Sequence, residues 1–377
     1  MSVGNDVIAL PVKRTNQIFQ YLKAIAILMV IDDHMSTRIG ILSSIFPYNS
    51  FYMPMLVFIS GYFYKKRGAF YNIKKKLKSL FLPYLSWTLA GNLIAYILKQ
   101  CGIVDWYWGI NRWTIWSLVS ITPPPAVGAM WFVIMLLWVS VLYNILRRML
   151  VRDTQLVDYA LLTISVLAGV VSLKLCIAGY CSNQLYLPFL RVGFYFQFFH
   201  MGVMFKRYWE RYIQNIRTLY LCTFCMLVNV ILLCFFGNRI NFYSTCWMSE
   251  FRSCWLPLVT SISGTLFWYK LVQFISSKVG SIKIVDFIAN NTFCIMASHL
   301  IFINIPNFYV YHQILRGSDA FPDFDVELFR CSPWVRYSPN TRLVGFFCGV
   351  IGSLALACAI QIIKNFLIKN ARLMSQR

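Results

Sequence analysis

The residues of this chain best suited to chemistry crowd into its first apolar stretch, Gln17–Ser36, which reads QIFQYLKAIAILMVIDDHMS. That stretch is apolar enough to cross a bilayer, yet it carries Lys23 near its start and Asp32, Asp33 and His34 near its end. Ionisable groups at membrane depth are costly and usually face a bundle interior or a polar cavity. Eleven positions separate Lys23 from His34. On a helix that is three turns plus about 20°, so both share one face, about 16 Å apart along the axis. An imidazole titrates near neutrality, so His34 could take a proton from a hydroxyl as its oxygen attacks a thioester. Asp32 or Asp33 could orient the ring, as a carboxylate does in a hydrolase triad. Helix neighbours point about 100° apart, however, so Asp33 would need a bent helix end to reach it. The bland reading is that Lys23 snorkels to the interface and His34 marks the far boundary of the span. The alignment of the pair, with two acids beside the histidine, favours two ends of a ligand path.

Further along, Arg191, Gln197 and His200 fall in one apolar stretch and His299 in another, IMASHLIF. Arg191 either snorkels at the outer end or faces inward to hold an anionic sugar or a developing oxyanion. His200 reads as a satisfied interior histidine. His299, placed between mid-membrane and the outer side, is expected to approach His34 or to serve ordinary helix contacts. Ser60-Gly61 reads as helix packing rather than a nucleophile, since no nucleophile elbow surrounds it.

The elements that must position these groups are apolar helices. The 377 residues are 59% hydrophobic and only 13% charged, with a mean hydropathy of +0.61; soluble domains carry about 25% charge. The expected fold is all-α, a polytopic bundle of about ten spans with both termini cytoplasmic. Those spans begin near residues 17, 51, 80, 129, 156, 185, 218, 255, 292 and 343. Residues 1–15 form a polar lead-in, 16–366 the transmembrane domain and 367–377 a basic tail. No removable signal peptide is expected, because the first apolar segment lacks a small-residue cleavage site. With this topology Lys and Arg fall about two to one on the inner side, the bias of cytoplasmic loops. The net charge of +22 therefore reflects loops facing anionic lipid and an anionic cofactor rather than nucleic acid.

The most basic loop follows the second span, with Lys65, Lys66, Arg67, Lys74, Lys75, Lys76 and Lys78. Usually an anchor, such a loop also suits a nucleotide phosphate and diphosphate. No glycine-rich phosphate loop is present, which argues against ATP-dependent chemistry. The longest polar loop, 306–342, holds Asp319, Asp323, Asp325 and Glu327. The twelve cysteines lie mostly in apolar spans, no spacing suggests a metal, and Cys246 and Cys254 share an external loop where they could pair.

Lys23, ten residues, then His34 resembles the basic-x10-His motif of the acyltransferase family 3 membrane proteins. FYMPMLVFISGYFY resembles that family's second-helix signature, KKLKSLFLPYLSW its basic loop running into Pro-Tyr, AMWFVIMLLW its Trp-Phe span and NNTFCIMASHLIF its late histidine segment. The resemblance implies transfer of an acyl group, usually acetyl from acetyl-CoA, to a sugar hydroxyl of a surface or exported glycan at a bacterial inner membrane. It makes His34 the essential histidine and Lys23 its partner on the donor path, with Asp33 beside them. It places acyl-CoA near Lys75, Lys76 and Lys78, where family members often carry Arg-x-x-Arg; the glycan or lipid-linked acceptor is expected near Arg191 and His299. A transporter or flippase for a glycan precursor would use the same intramembrane residues, but no two-half repeat or matched pair of broken helices supports one. A glycan polymerase would need a large external catalytic loop, for which only 306–342 is available.

Overall fold

The computed structural model describes residues 12–35, 41–105, 125–150, 153–240, 246–332 and 342–375. The tryptophans of the loop after residue 105, and Arg152, lie outside them. Among the described residues the chain is helical and has no strands. The helices are α1 (Val12–Met35), α2 (Tyr52–Tyr62), α3 (Ala69–Lys76), α4 (Leu82–Gln100), α5 (Trp131–Met149), α6 (Gln155–Ile177), α7 (Leu187–Met204) and α8 (Glu210–Asn215). They continue as α9 (Thr218–Phe236), α10 (Leu256–Val279), α11 (Lys283–Asn290), α12 (Thr292–Phe302), α13 (Ile305–Leu315), α14 (Val326–Cys331) and α15 (Arg342–Ser375). Helix occurs at each of the ten stretches expected from apolarity. Among the described residues, six segments are both long and apolar enough to cross a membrane: 69–100, 126–149, 155–177, 218–236, 292–315 and 342–368. Helices suit lipid because every backbone group must find its partner within the protein.

Local chemistry sets several boundaries. Thr154 caps α6 by accepting from the Val157 amide, and prolines stand in the first turns of α4, α7, α10 and α13, where a missing N–H costs nothing. Helix α1 begins at Val12, five residues before its apolar stretch. It runs through the bundle in contact with α2, α10, α11, α12 and α15. The tightest crossing joins α2 to α7. A Cβ added to Gly61 would lie 1.9 Å from the Phe199 carbonyl oxygen, and one added to Gly202 only 2.0 Å from that of Phe58. Without Cβ atoms the two backbones touch, which is how helices gain packing where lipid removes the hydrophobic drive.

Two expectations are corrected. The basic segment after α2 is not a loop throughout: Ala69 to Lys76 is helix, and a π-helical turn over Leu77–Phe81 carries it into α4. The ninth span does not end at Ile305 and give way to a polar loop. After a break at Ile303–Asn304 the chain resumes as α13 to Leu315, and only then turns polar. Helix α13 joins α14 and the end of α4 in a small apolar cluster of Ala95, Val104, Val310, Tyr311, Phe324 and Phe329. An Asp105–Arg330 ion pair of 3.0 Å ties its edge.

Candidate active site

Helix α1 carries Lys23 and His34 unbroken, so their shared face and spacing of about 16 Å follow from its rise. Lys23 is half-buried, Asp32 buried, and Asp33 and His34 half-buried. At the far end of this helix His34 meets His299 of α12. His34 Nδ1 lies 3.0 Å from His299 Nε2, with the rings 5.0 Å apart and tilted by 34°. His299 has no exposed surface, and its Nδ1 lies 2.9 Å from the Ile295 carbonyl, one turn back on its own helix. The α12 break falls one turn after His299, where the Ile303 amide donates to the His299 carbonyl.

Asp33 points to a different partner, as the 100° step between helix neighbours requires. It accepts from the Tyr52 hydroxyl at 3.0 Å, at the start of α2. The group at His34 Nδ1 is a second imidazole, that of His299. Tyr52 was not foreseen, because nothing local marks it.

Arg191 faces inward: it has no exposed surface, its guanidinium lies 5.2 Å from the Trp131 ring centre, and it donates to the Cys246 sulfur at 3.6 Å. Snorkelling does not describe it. Cys246 and Cys254 are both free thiols. His200 is held at both nitrogens, by the Tyr143 hydroxyl at 2.8 Å and the Asp158 carbonyl at 2.9 Å. It is the satisfied interior histidine that its position suggested.

The basic end of the bundle holds a second polar cluster that sequence reasoning missed. Arg147, with no exposed surface, pairs with both Asp153 and Asp158. Asp158 also accepts from Arg207 at 2.8 Å and Tyr208 at 2.7 Å, while Lys66 approaches Asp153 at 3.6 Å. Nearby, the buried side chain of Asn144 accepts from the Tyr64 hydroxyl and the Arg67 amide and donates to the Arg67 carbonyl. It thereby fixes the link that leads into α3. That helix directs Lys75 outward and leaves Lys76 half-buried, and Lys78 lies exposed on the π-helical turn. Close by, Tyr62 donates to Glu210 at 2.9 Å beneath Phe19 of α1, with Lys206 over its ring at 5.1 Å. Burial raises the Glu210 carboxyl above its ordinary range, although hydrogen bonds from Tyr62 and Tyr269 oppose this.

Helix α1 thus links a basic-and-aromatic end, where its Phe19 packs on Tyr62, to the paired imidazoles at its other end. A family model, the acyltransferase domain of acyltransferase 3 proteins, matches residues 16–362, which is nearly the whole chain. The protein belongs to the acyltransferase 3 family. Comparison with curated proteins and with solved structures finds no match. The matched region takes in the aligned Lys23–His34 helix, the α3 lysines, Arg191 and His299 alike. With its apolar helices this membership makes the acyltransferase 3 chain a multi-pass membrane protein and assigns it acyl transfer.

Proposed function

We propose that this acyltransferase 3 protein moves an acyl group, acetyl in the simplest case, from cytoplasmic acyl-CoA to a sugar hydroxyl of a cell-surface or exported polysaccharide. Its ten helical stretches then cross a bacterial inner membrane with both termini and the basic end in the cytoplasm. The observation that carries this reading is the His34–His299 contact at 3.0 Å, at the far end of the helix that also carries Lys23. A proton acceptor set about 16 Å along the helix from Lys23 suits a thioester on a long, narrow arm.

In this reading Lys75, Lys76 and Lys78 meet the nucleotide phosphates as flexible point charges. Lys23 guides the arm inward, and His34 takes the hydroxyl proton as the acceptor oxygen bonds to the acyl carbon. The C–S bond then breaks, and the departing thiolate recovers a proton from His34. Asp33, steadied by Tyr52, supplies negative charge near the imidazolium, and Arg191, braced on Trp131, lines the acceptor side.

The test uses purified protein in lipid with radiolabelled acetyl-CoA and a host surface-polysaccharide extract. Label should move to glycan with release of CoA in the native protein and not in His34→Ala, with both chains folded to the same extent. Full transfer by His34→Ala removes the histidine from the chemistry. Failure of the native protein to bind or turn over any acyl-CoA sinks the reading altogether.

A further inference from the structure

We propose that His299 is a positioning residue that fixes which nitrogen of His34 carries the proton, leaving Nε2 of His34 as the base. The inference rests on the reading of His34 as the proton acceptor. The argument begins at Ile295, whose backbone carbonyl can only accept. His299 Nδ1 lies 2.9 Å from that oxygen, so Nδ1 carries the hydrogen. A neutral imidazole protonated at Nδ1 holds its lone pair at Nε2. His299 Nε2 lies 3.0 Å from His34 Nδ1, so His34 Nδ1 must be the donor there. His34 in turn keeps its lone pair at Nε2.

The opposite assignment, a doubly protonated His299 donating to His34, puts a full cation on a ring with no exposed surface, which is costly. The chain from Ile295 oxygen through two imidazoles is therefore directional, each hydrogen pointing back toward the α12 backbone. A hydroxyl proton taken by His34 Nε2 makes an imidazolium whose Nδ1–H already points at an acceptor. An acid holds the base in this way in a serine hydrolase; here a neutral ring anchored to a helix carbonyl does so. His299 is buried and touches the base, so its loss should act on turnover and not on substrate affinity.

The chain has four histidines, few enough for their ring nitrogens to be read separately by solid-state NMR of the 15N-histidine-labelled protein in bilayers. The signal that disappears in His34→Ala identifies His34. In the native protein it should report protonation at Nδ1 and a bare Nε2. In His299→Phe that preference should disappear. Kinetically, His299→Phe should lower kcat by about 10²-fold, the scale of an acid–base contribution, with KM for acyl-CoA and acceptor within about twofold. His299→Gln, whose amide oxygen can accept from His34 Nδ1, should recover most of the loss. A native His34 protonated at Nε2 overturns the proposal, as does a loss expressed in KM or equal losses in the Phe and Gln variants. Should His299→Phe fail to fold, the native spectrum and the Gln variant decide. Unimpaired transfer by His34→Ala with the expected tautomer in place rejects His34 as the base, and with it the catalytic half of the proposal, while leaving the directional pair standing.

Discussion

At the basic end, His200 sits between the Tyr143 hydroxyl and the Asp158 carbonyl, next to Arg147 and its two carboxylates. At the far end of α1, His34 sits against another histidine. Both regions bury polar groups among helices, but the first surrounds its imidazole with partners that do not titrate near neutrality. Opposite charges pair there and join the ends of α5, α6 and the turn after α7. In the second region each ring's neighbour can itself gain or lose a proton. Buried polarity therefore does two jobs in one bundle: closed charge pairs fasten helices, and coupled neutral rings stay able to move hydrogen.

The sharpest way to test that division is to remove one histidine from each region. His34→Ala should cut transfer by about 10⁴-fold, the upper range for a general base, while leaving a folded protein that loses less melting temperature than His200→Ala. His200→Ala should lower the melting temperature while each folded molecule keeps its turnover. Equal behaviour of the two variants would erase the distinction. Next in size is Arg147→Met, which takes the buried cation from Asp153 and Asp158 while Arg207 and Tyr208 still reach Asp158, and should cost about 3 kcal/mol of stability, read from unfolding in detergent or lipid. A fall of more than tenfold in activity per folded molecule would place that cluster in the chemistry. Gly61→Ala forces the α2 backbone off Phe199 and should cost about 1–3 kcal/mol, again seen in unfolding. The smallest effect is expected from Lys75→Ala with Lys78→Ala. Exposed cations are worth about 1 kcal/mol each at most, so KM for acyl-CoA should rise several-fold at unchanged kcat, with less dependence on salt. A kcat effect there would move the lysines from phosphate holding to catalysis.

The parts of this arrangement legible in sequence are those set by spacing along one helix. Lys23 and His34 share a face because eleven steps nearly close three turns, and α1 is continuous across them. Late histidine His299 could be placed at a depth near His34, which made their meeting a fair expectation. Tyr52 on Asp33 needs the angle between α1 and α2, which no local pattern encodes. Arg147 and Arg207 were hidden in plain view: in a chain biased toward basic loops, ion-paired arginines look like anchors, even one that is buried as Arg147 is. Asp153 and Asp158, rare acids on the basic side, were the signal that could have exposed them. The break at Ile303–Asn304 was written in Asn304 and Pro306, but the same residues also end a span, and helix resumption depends on the α14 and α4 contacts beyond.

The two imidazoles of the far cluster are 265 residues apart in the chain. Translation at about 5–20 residues per second therefore separates their appearance by roughly 13 to 53 seconds. In the proposed ten-span arrangement the newly made α1 spends that interval in the translocon or the lipid with Lys23, Asp32 and Asp33 aboard, at an insertion cost of up to about 2.5–3.5 kcal/mol per such charge. Its histidine partner has not yet been synthesised. A ribosome halted before Thr292 would leave that helix without α12, exposed to quality-control proteases as an unfinished membrane segment. The last quarter of the chain thus completes not only the site but the stable residence of the first helix.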